Sequence, residues 1–233
     1  MPAPARNRPP AHDPTEKITF AEFGRREAWS EFKHEYHAGY AVPVQGPDAY
    51  PLSPVRRLGM AGATPNHSKI TASANTAIGR RLDGSACHVH SSDLMIRVEV
   101  ADRGYYPDLS VICGEPIPAE GSTLTATNPH LIVEVTSVST EDIDRGRKRL
   151  HYLQLPTLRD YLIVDQYEVS VEHQSRDSDD VWRTTLYRNL NDMIALPSLD
   201  VGLPLIELYR GVRFEPHPGE RTRPDPVGPE RID

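Results

Sequence analysis

Two carboxylates stand where a folded chain seldom puts them. In Asn128-Pro-His-Leu-Ile-Val-Glu-Val-Thr136 the side chains of a strand alternate, so Glu134 shares a face with Ile132 and Thr136 and interrupts it. Upstream, Asp108 follows Pro107 directly and heads the apolar run Leu109-Ser-Val-Ile112. An ionised carboxylate buried alone costs several kcal/mol, so each acid needs water, a base or a metal. Two strands adjacent in sequence can pair and set these acids side by side. One would then hold a proton unless a cation sits between them, and a hard divalent ion is the natural resolution. The plain alternative for either acid is a solvent-facing place on an edge strand. Paired carboxylates also perform general acid–base chemistry on sugars, although nothing else in the chain points that way.

The elements that must position these acids are legible in outline. Thr19-Phe-Ala-Glu22 has the form of a capping box, and Phe20, Phe23, Trp29, Phe32 and Tyr36 predict a first helix from about residue 20 into the mid-thirties, weakened near Gly24. Tyr40-Ala-Val-Pro-Val44 predicts a short strand, followed by a long Pro- and Gly-containing loop. Asn66 is placed to cap a second helix with the stripe Ile70, Ala74, Ala77, Ile78 and Leu82, which Gly84 terminates. From Cys87 onward, runs rich in Val, Ile, Tyr and Thr predict strands. A further helix, capped by Ser139 or Thr140 and closed before Pro156, falls between the strand carrying Glu134 and Asp160-Tyr-Leu-Ile-Val-Asp165. The order implies an α/β fold, a mixed central β-sheet flanked by helices.

A resemblance then becomes specific. Pro-Asp entering one strand and Glu within the next resembles the PD…(D/E)xK nucleases, and more narrowly the Uma-two family of restriction-type endonucleases. It rests on Glu35-Tyr-His-Ala-Gly39, Asn66-His67, Ser92-Asp93-Leu94, Pro107-Asp108, Glu134-Val-Thr-Ser137, Asp144-Arg-Gly-Arg-Lys148 with Tyr152, and Tyr161-Leu-Ile-Val-Asp165. The order and spacing carry it, over residues 20–212. The resemblance implies a restriction-endonuclease-like core and a Mg²⁺ or Mn²⁺ site with Asp108 and Glu134 as principal ligands. It implies a further carboxylate from Glu35, with Asp93 a weaker candidate, and a DNA substrate. It also implies a homodimer. His67 matches the family's histidine, to contact a phosphate or to pack and hydrogen-bond at the helix end.

The chain departs from the nuclease pattern where a lysine is expected: that position is Thr136, which supplies no positive charge to the reaction. Lys148 is the candidate replacement. It lies ~12 Å along the following helix, but helical side chains tilt toward the N-terminus and a lysine spans a further ~6 Å. Asp144 at i−4 and Tyr152 at i+4 would orient it. The plain alternative is a surface Asp–Lys pair.

The rest of the sequence bounds the function. At 233 residues with 38% hydrophobic and 25% charged content, the chain predicts one domain over 18–214. Pro-rich, disordered arms are expected over 1–17 and 215–233. No apolar stretch is long enough for a membrane span and the start lacks a secretory core, so no membrane partner is expected. Two cysteines without a repeated spacing, Cys87 and Cys113, favour a reducing cytoplasm, with a bridge between them left open. A net charge of −7 argues against a general DNA-coating protein while permitting a local basic groove. His88-Val-His90 is read as a solvated strand face, and no phosphate-binding Gly loop or nucleophile elbow is present. The acidic charge and the missing lysine leave open a catalytically silent member that serves as a binding or assembly module.

Overall fold

A computed structural model describes residues 8–44, 64–136 and 144–214, with the side chains of 144 and 145 excepted. The elements run α1 (Phe20–Glu27), β1 (His34–His37), β2 (Tyr40–Pro43), α2 (Pro65–Leu82), β3 (Cys87–Ser91), β4 (Met95–Val98), β5 (Arg103–Tyr105), β6 (Leu109–Cys113), β7 (Thr125–Ala126) and β8 (Leu131–Thr136). A π-helical turn (Asp144–Lys148) leads into α3 (Arg149–Tyr152). Then come β9 (Asp160–Asp165), β10 (Val171–Arg176), β11 (Trp182–Tyr187), β12 (Met193–Leu196), β13 (Val201–Pro204) and α4 (Leu205–Leu208).

A six-stranded sheet has the order β11-β10-β9-β8-β6-β3, and a five-stranded sheet the order β2-β1-β5-β4-β7; β12 and β13 form a separate pair. The larger sheet is mixed, because β8 and β9 run parallel while its other pairs are antiparallel. β8 and β9 are buried along their whole length, as central strands covered on both faces must be. On one face Leu109, Val111, Leu131, Val133 and Leu162 meet the α2 stripe of Ile70, Ala74, Ala77 and Ile78. On the other, Ile112, Ile132 and Ile163 meet Ile96, Val98 and Tyr105 of the five-stranded sheet together with Tyr152 of α3. Each buried Leu or Ile contributes about 1.5–3 kcal/mol. Glu134 belongs to the second face, between the sheets.

Several elements differ from the sequence expectation, each for a local reason. α1 ends at Glu27, leaving Trp29 and Phe32 exposed, and Tyr36 lies on β1. The Ala38-Gly39 turn, with φ of 50° and 100°, closes a two-residue hairpin that the right-handed strand twist favours and so draws Tyr36 into a strand. The cap of α2 is Thr64, not Asn66: its hydroxyl accepts the His67 N–H at 3.1 Å, and Pro65 occupies the first turn, where its missing donor costs nothing. The stretches read as single strands from Cys87 and from Tyr105 each divide between the two sheets. Pro107, lacking an N–H, stands between β5 and β6. Of the following helix, α3 and the π turn are described, while its expected caps Ser139 and Thr140 fall outside the described residues, as do the loop 45–63 and the tail 215–233. Residues 8–17 of the expected N-terminal arm lie on the fold: Glu16 pairs with Arg26 at 2.6 Å and the His12 side chain, 2% exposed, packs against Glu27.

Cys87 and Cys113 face each other across β3 and β6 and form a disulfide with Cα atoms 3.9 Å apart. That removes the free thiols on which the expectation of a reducing compartment rested. His88 is exposed and His90 half-buried on β3, the edge strand of the six-stranded sheet.

Candidate active site

Asp108 stands where the chain crosses from one sheet to the other. The β6–β8 register ends at Leu109 opposite Val133, so its next step sets Asp108 opposite Glu134. Oδ2 of Asp108 accepts the Val135 N–H at 2.7 Å, which fixes the carboxylate against the end of β8. The same oxygen lies 3.2 Å from Nε2 of His67, a charged pair only when the imidazole is protonated. His67 sits in the first turn of α2, whose N-terminus therefore points at this corner.

Glu134 is 4% exposed. Its Oε1 accepts the Tyr152 hydroxyl at 3.2 Å and lies 3.9 Å from Nζ of Lys148. Lys148 and Tyr152 are one helical turn apart, and the segment 144–152 lies so that both meet the same carboxylate. Nζ of Lys148 is also 3.2 Å from Oε1 of Glu35. Glu35 comes from the other sheet: β1 pairs with β5 through Tyr36 opposite Gly104, and this pairing carries Glu35 to the inter-sheet space, where it is 1% exposed. Its Oε2 is 3.1 Å from Nε2 of His37.

The surrounding aromatics are donors held in their protonated forms. Burial, and then the charge of Glu134, push the Tyr152 phenol well above its ordinary value. Burial and the charge of Glu35 likewise raise Tyr105. The Tyr105 hydroxyl lies 2.6 Å from Nδ1 of His151, and the Lys148 ammonium is 5.5 Å from the Tyr105 ring centroid. Burial and the neighbouring Arg103, His37 and Arg147 lower the pKa of His151, so its neutral ring accepts from Tyr105.

The structure thus gathers Glu35, Glu134, Lys148 and Tyr152 in one buried constellation, with Asp108 and His67 paired at the adjoining strand ends. It does not bring Asp93 or the Thr136 side chain to it. Asp93 is exposed and paired with Lys33 at 2.6 Å, and the Thr136 hydroxyl donates to the Val164 carbonyl at 3.4 Å. The side chain of Asp144 lies outside those described. His37, Tyr105 and His151 complete the constellation and went unread in the sequence. Alternation on His34-Glu-Tyr-His37 puts His37 on the face of Glu35 and could have found it; Tyr105 and His151 carried no signal. Carboxylate oxygens on facing strand ends suit a hard divalent cation, and a lysine ammonium already lies between two of the acids, so this corner accommodates positive charge.

Facing carboxylates at the ends of β6 and β8, with parallel β9 beside them and α2 behind, give the protein a restriction-endonuclease-like α/β fold. A crystal structure from Anabaena variabilis, described as a putative nuclease belonging to DUF820, superposes with a TM-score of 0.56 at 16% identity, covering 77% of this chain and 91% of that one. The chain belongs to the Uma-two family, whose model, described as "Uma2: Putative restriction endonuclease", matches residues 56–206. Asp108, Glu134 and Lys148 fall inside the match and Glu35 outside it. Two Synechocystis proteins are similar: "Uncharacterized protein slr1290", 32% identical over 88% of this chain and 99% of the relative, and "Uncharacterized protein sll1609", 29% identical over 73% and 88%.

Proposed function

We propose that the protein is a divalent-metal-dependent endonuclease that hydrolyses DNA phosphodiester bonds. The observation that carries this reading is the buried Lys148 ammonium, 3.9 Å from Glu134 on the strand that faces Asp108. Asp108 and Glu134 would hold Mg²⁺ or Mn²⁺, with Glu35 adding a carboxylate. Bound there, the ion would polarise the scissile phosphate and acidify the attacking water. Lys148 places a positive charge beside the reacting phosphate, the task that Thr136 cannot perform. Tyr152 would hold the Glu134 carboxylate in orientation for the ion, and the Val135 N–H and His67 would do the same for Asp108. The family supports a nuclease, and the metal, the DNA substrate and a homodimeric state are this proposal's own.

Nicking of supercoiled plasmid in Mg²⁺ or Mn²⁺ tests the reading. Cleavage should vanish with chelator and fall by at least a hundredfold in Glu134→Gln and Asp108→Asn. No cleavage by the wild type with either ion, or equal cleavage by the variants, refutes it.

A further inference from the structure

On β1, Glu35 and His37 turn toward Lys148 and Tyr105, while His34 and Tyr36 turn the other way, toward α1. On that opposite face three side chains from separate segments converge: His12 from the N-terminal stretch, Glu27 from the last turn of α1 and His34 from β1. Nε2 of His12 and Nδ1 of His34 each lie 3.0 Å from Oε2 of Glu27, and the three ligand atoms are all within 4.8 Å of one another. We propose that His12, Glu27 and His34 form a second metal site, for a Zn²⁺-class transition ion, which clasps the N-terminal stretch to the first hairpin.

Two imidazoles and a carboxylate are a borderline donor set, unlike the all-oxygen corner at Asp108 and Glu134, so the two sites would select different ions. The ligand spacing fits. Zinc bonds of about 2.0–2.1 Å leave tetrahedral ligand atoms ~3.3 Å apart, so each imidazole nitrogen needs to move from Glu27 by only a few tenths of an ångström, while the two nitrogens, within 4.8 Å of each other, close on the ion. The second oxygen of Glu27 is already committed, accepting the His34 N–H at 2.9 Å and the Tyr106 hydroxyl at 3.2 Å; this turns Oε2 toward the imidazoles. Without an ion, Nε2 of His12 carries the proton toward Glu27; on metal binding that proton can pass to Nδ1, which is buried and engaged by no hydrogen bond that would oppose the change of tautomer. The ring is nonetheless positioned, 4.5 Å from His34 and 5.0 Å from Phe23. Glu27 also lines an open cavity of about 600 Å³. Three protein ligands leave a further position for water.

The test uses the full chain, stripped with chelator and desalted, titrated with Zn²⁺ by calorimetry and with Co²⁺ by visible absorption. The Glu134→Gln variant separates this site from the proposed catalytic one. It should still bind one equivalent of Zn²⁺ and give a tetrahedral or five-coordinate Co²⁺ spectrum. His12→Ala, which alters a side chain outside the helices and strands, should weaken Zn²⁺ at least tenfold with an unchanged far-UV circular dichroism spectrum, and His34→Gln should do the same. Failure of Glu134→Gln to bind Zn²⁺ at tens of micromolar, or undiminished binding by both histidine variants, overturns the proposal, whether or not the protein cleaves DNA.

Discussion

At Lys148 a buried ammonium shares two carboxylates, 3.2 Å from Glu35 and 3.9 Å from Glu134. Removing one partner of a buried charged set strands the others, at about 3–5 kcal/mol. Lys148→Met should therefore lower the melting temperature in chelator, and millimolar Mg²⁺ should restore part of the loss by replacing the missing charge; equal melting in both buffers would separate Lys148 from any ion site. Glu27 gives a pH signature. Burial would raise its pKa, but hydrogen bonds from His12 and His34 outweigh that and hold it at about 2, against an ordinary 4.5. A depressed folded value stabilises the fold above about pH 4.5 and loses that contribution as pH falls toward 2. In chelator, the stability gap between wild type and Glu27→Gln should accordingly narrow across that interval, and a constant gap would show that the imidazoles do not favour the ionised carboxylate.

The β1–β2 hairpin sets where Glu35 points, and its turn depends on Gly39 at φ 100°. Gly39→Ala adds a Cβ in a conformation that costs about 1–2 kcal/mol, with the Lys17 side chain 2.6 Å away. A melting temperature lower by roughly 2–8 °C is expected, and an unchanged one would mean that the hairpin tolerates another turn. The elements also explain what could be read in advance. α2 was legible because its stripe repeats at helical spacing over many residues, and all five stripe positions are buried. The acids on β8 and before β6 were legible because alternation is a local rule. The division of strands between two sheets was not, since it follows from which partner each segment finds. Glu35 was assigned by resemblance, and its approach to Lys148 depends on the pairing of β1 with β5, Tyr36 opposite Gly104, a contact between distant parts of the sequence that no local pattern encodes.

In the whole molecule, two sheets enclose the acid–lysine constellation while α2 closes the far side of the larger sheet. A single cross-strand disulfide fastens the edge of that sheet, closing a loop of sequence separation 26, worth about 3.5 kcal/mol in the chain-entropy model. Cys113→Ser should melt several degrees lower than the oxidised wild type, and equal melting would show that the bridge adds no stability. This architecture brings Lys148, from the turn before α3, to the carboxylate of Glu134, and under the proposed function it serves in place of the lysine absent at Thr136. The most direct measurement is the single-turnover rate of plasmid nicking by wild type and Lys148→Ala at saturating Mg²⁺, with Mg²⁺ affinity measured in parallel. If Lys148 serves the transition state, the rate falls about a hundredfold or more while Mg²⁺ still binds. An undiminished rate in Lys148→Ala would contradict it.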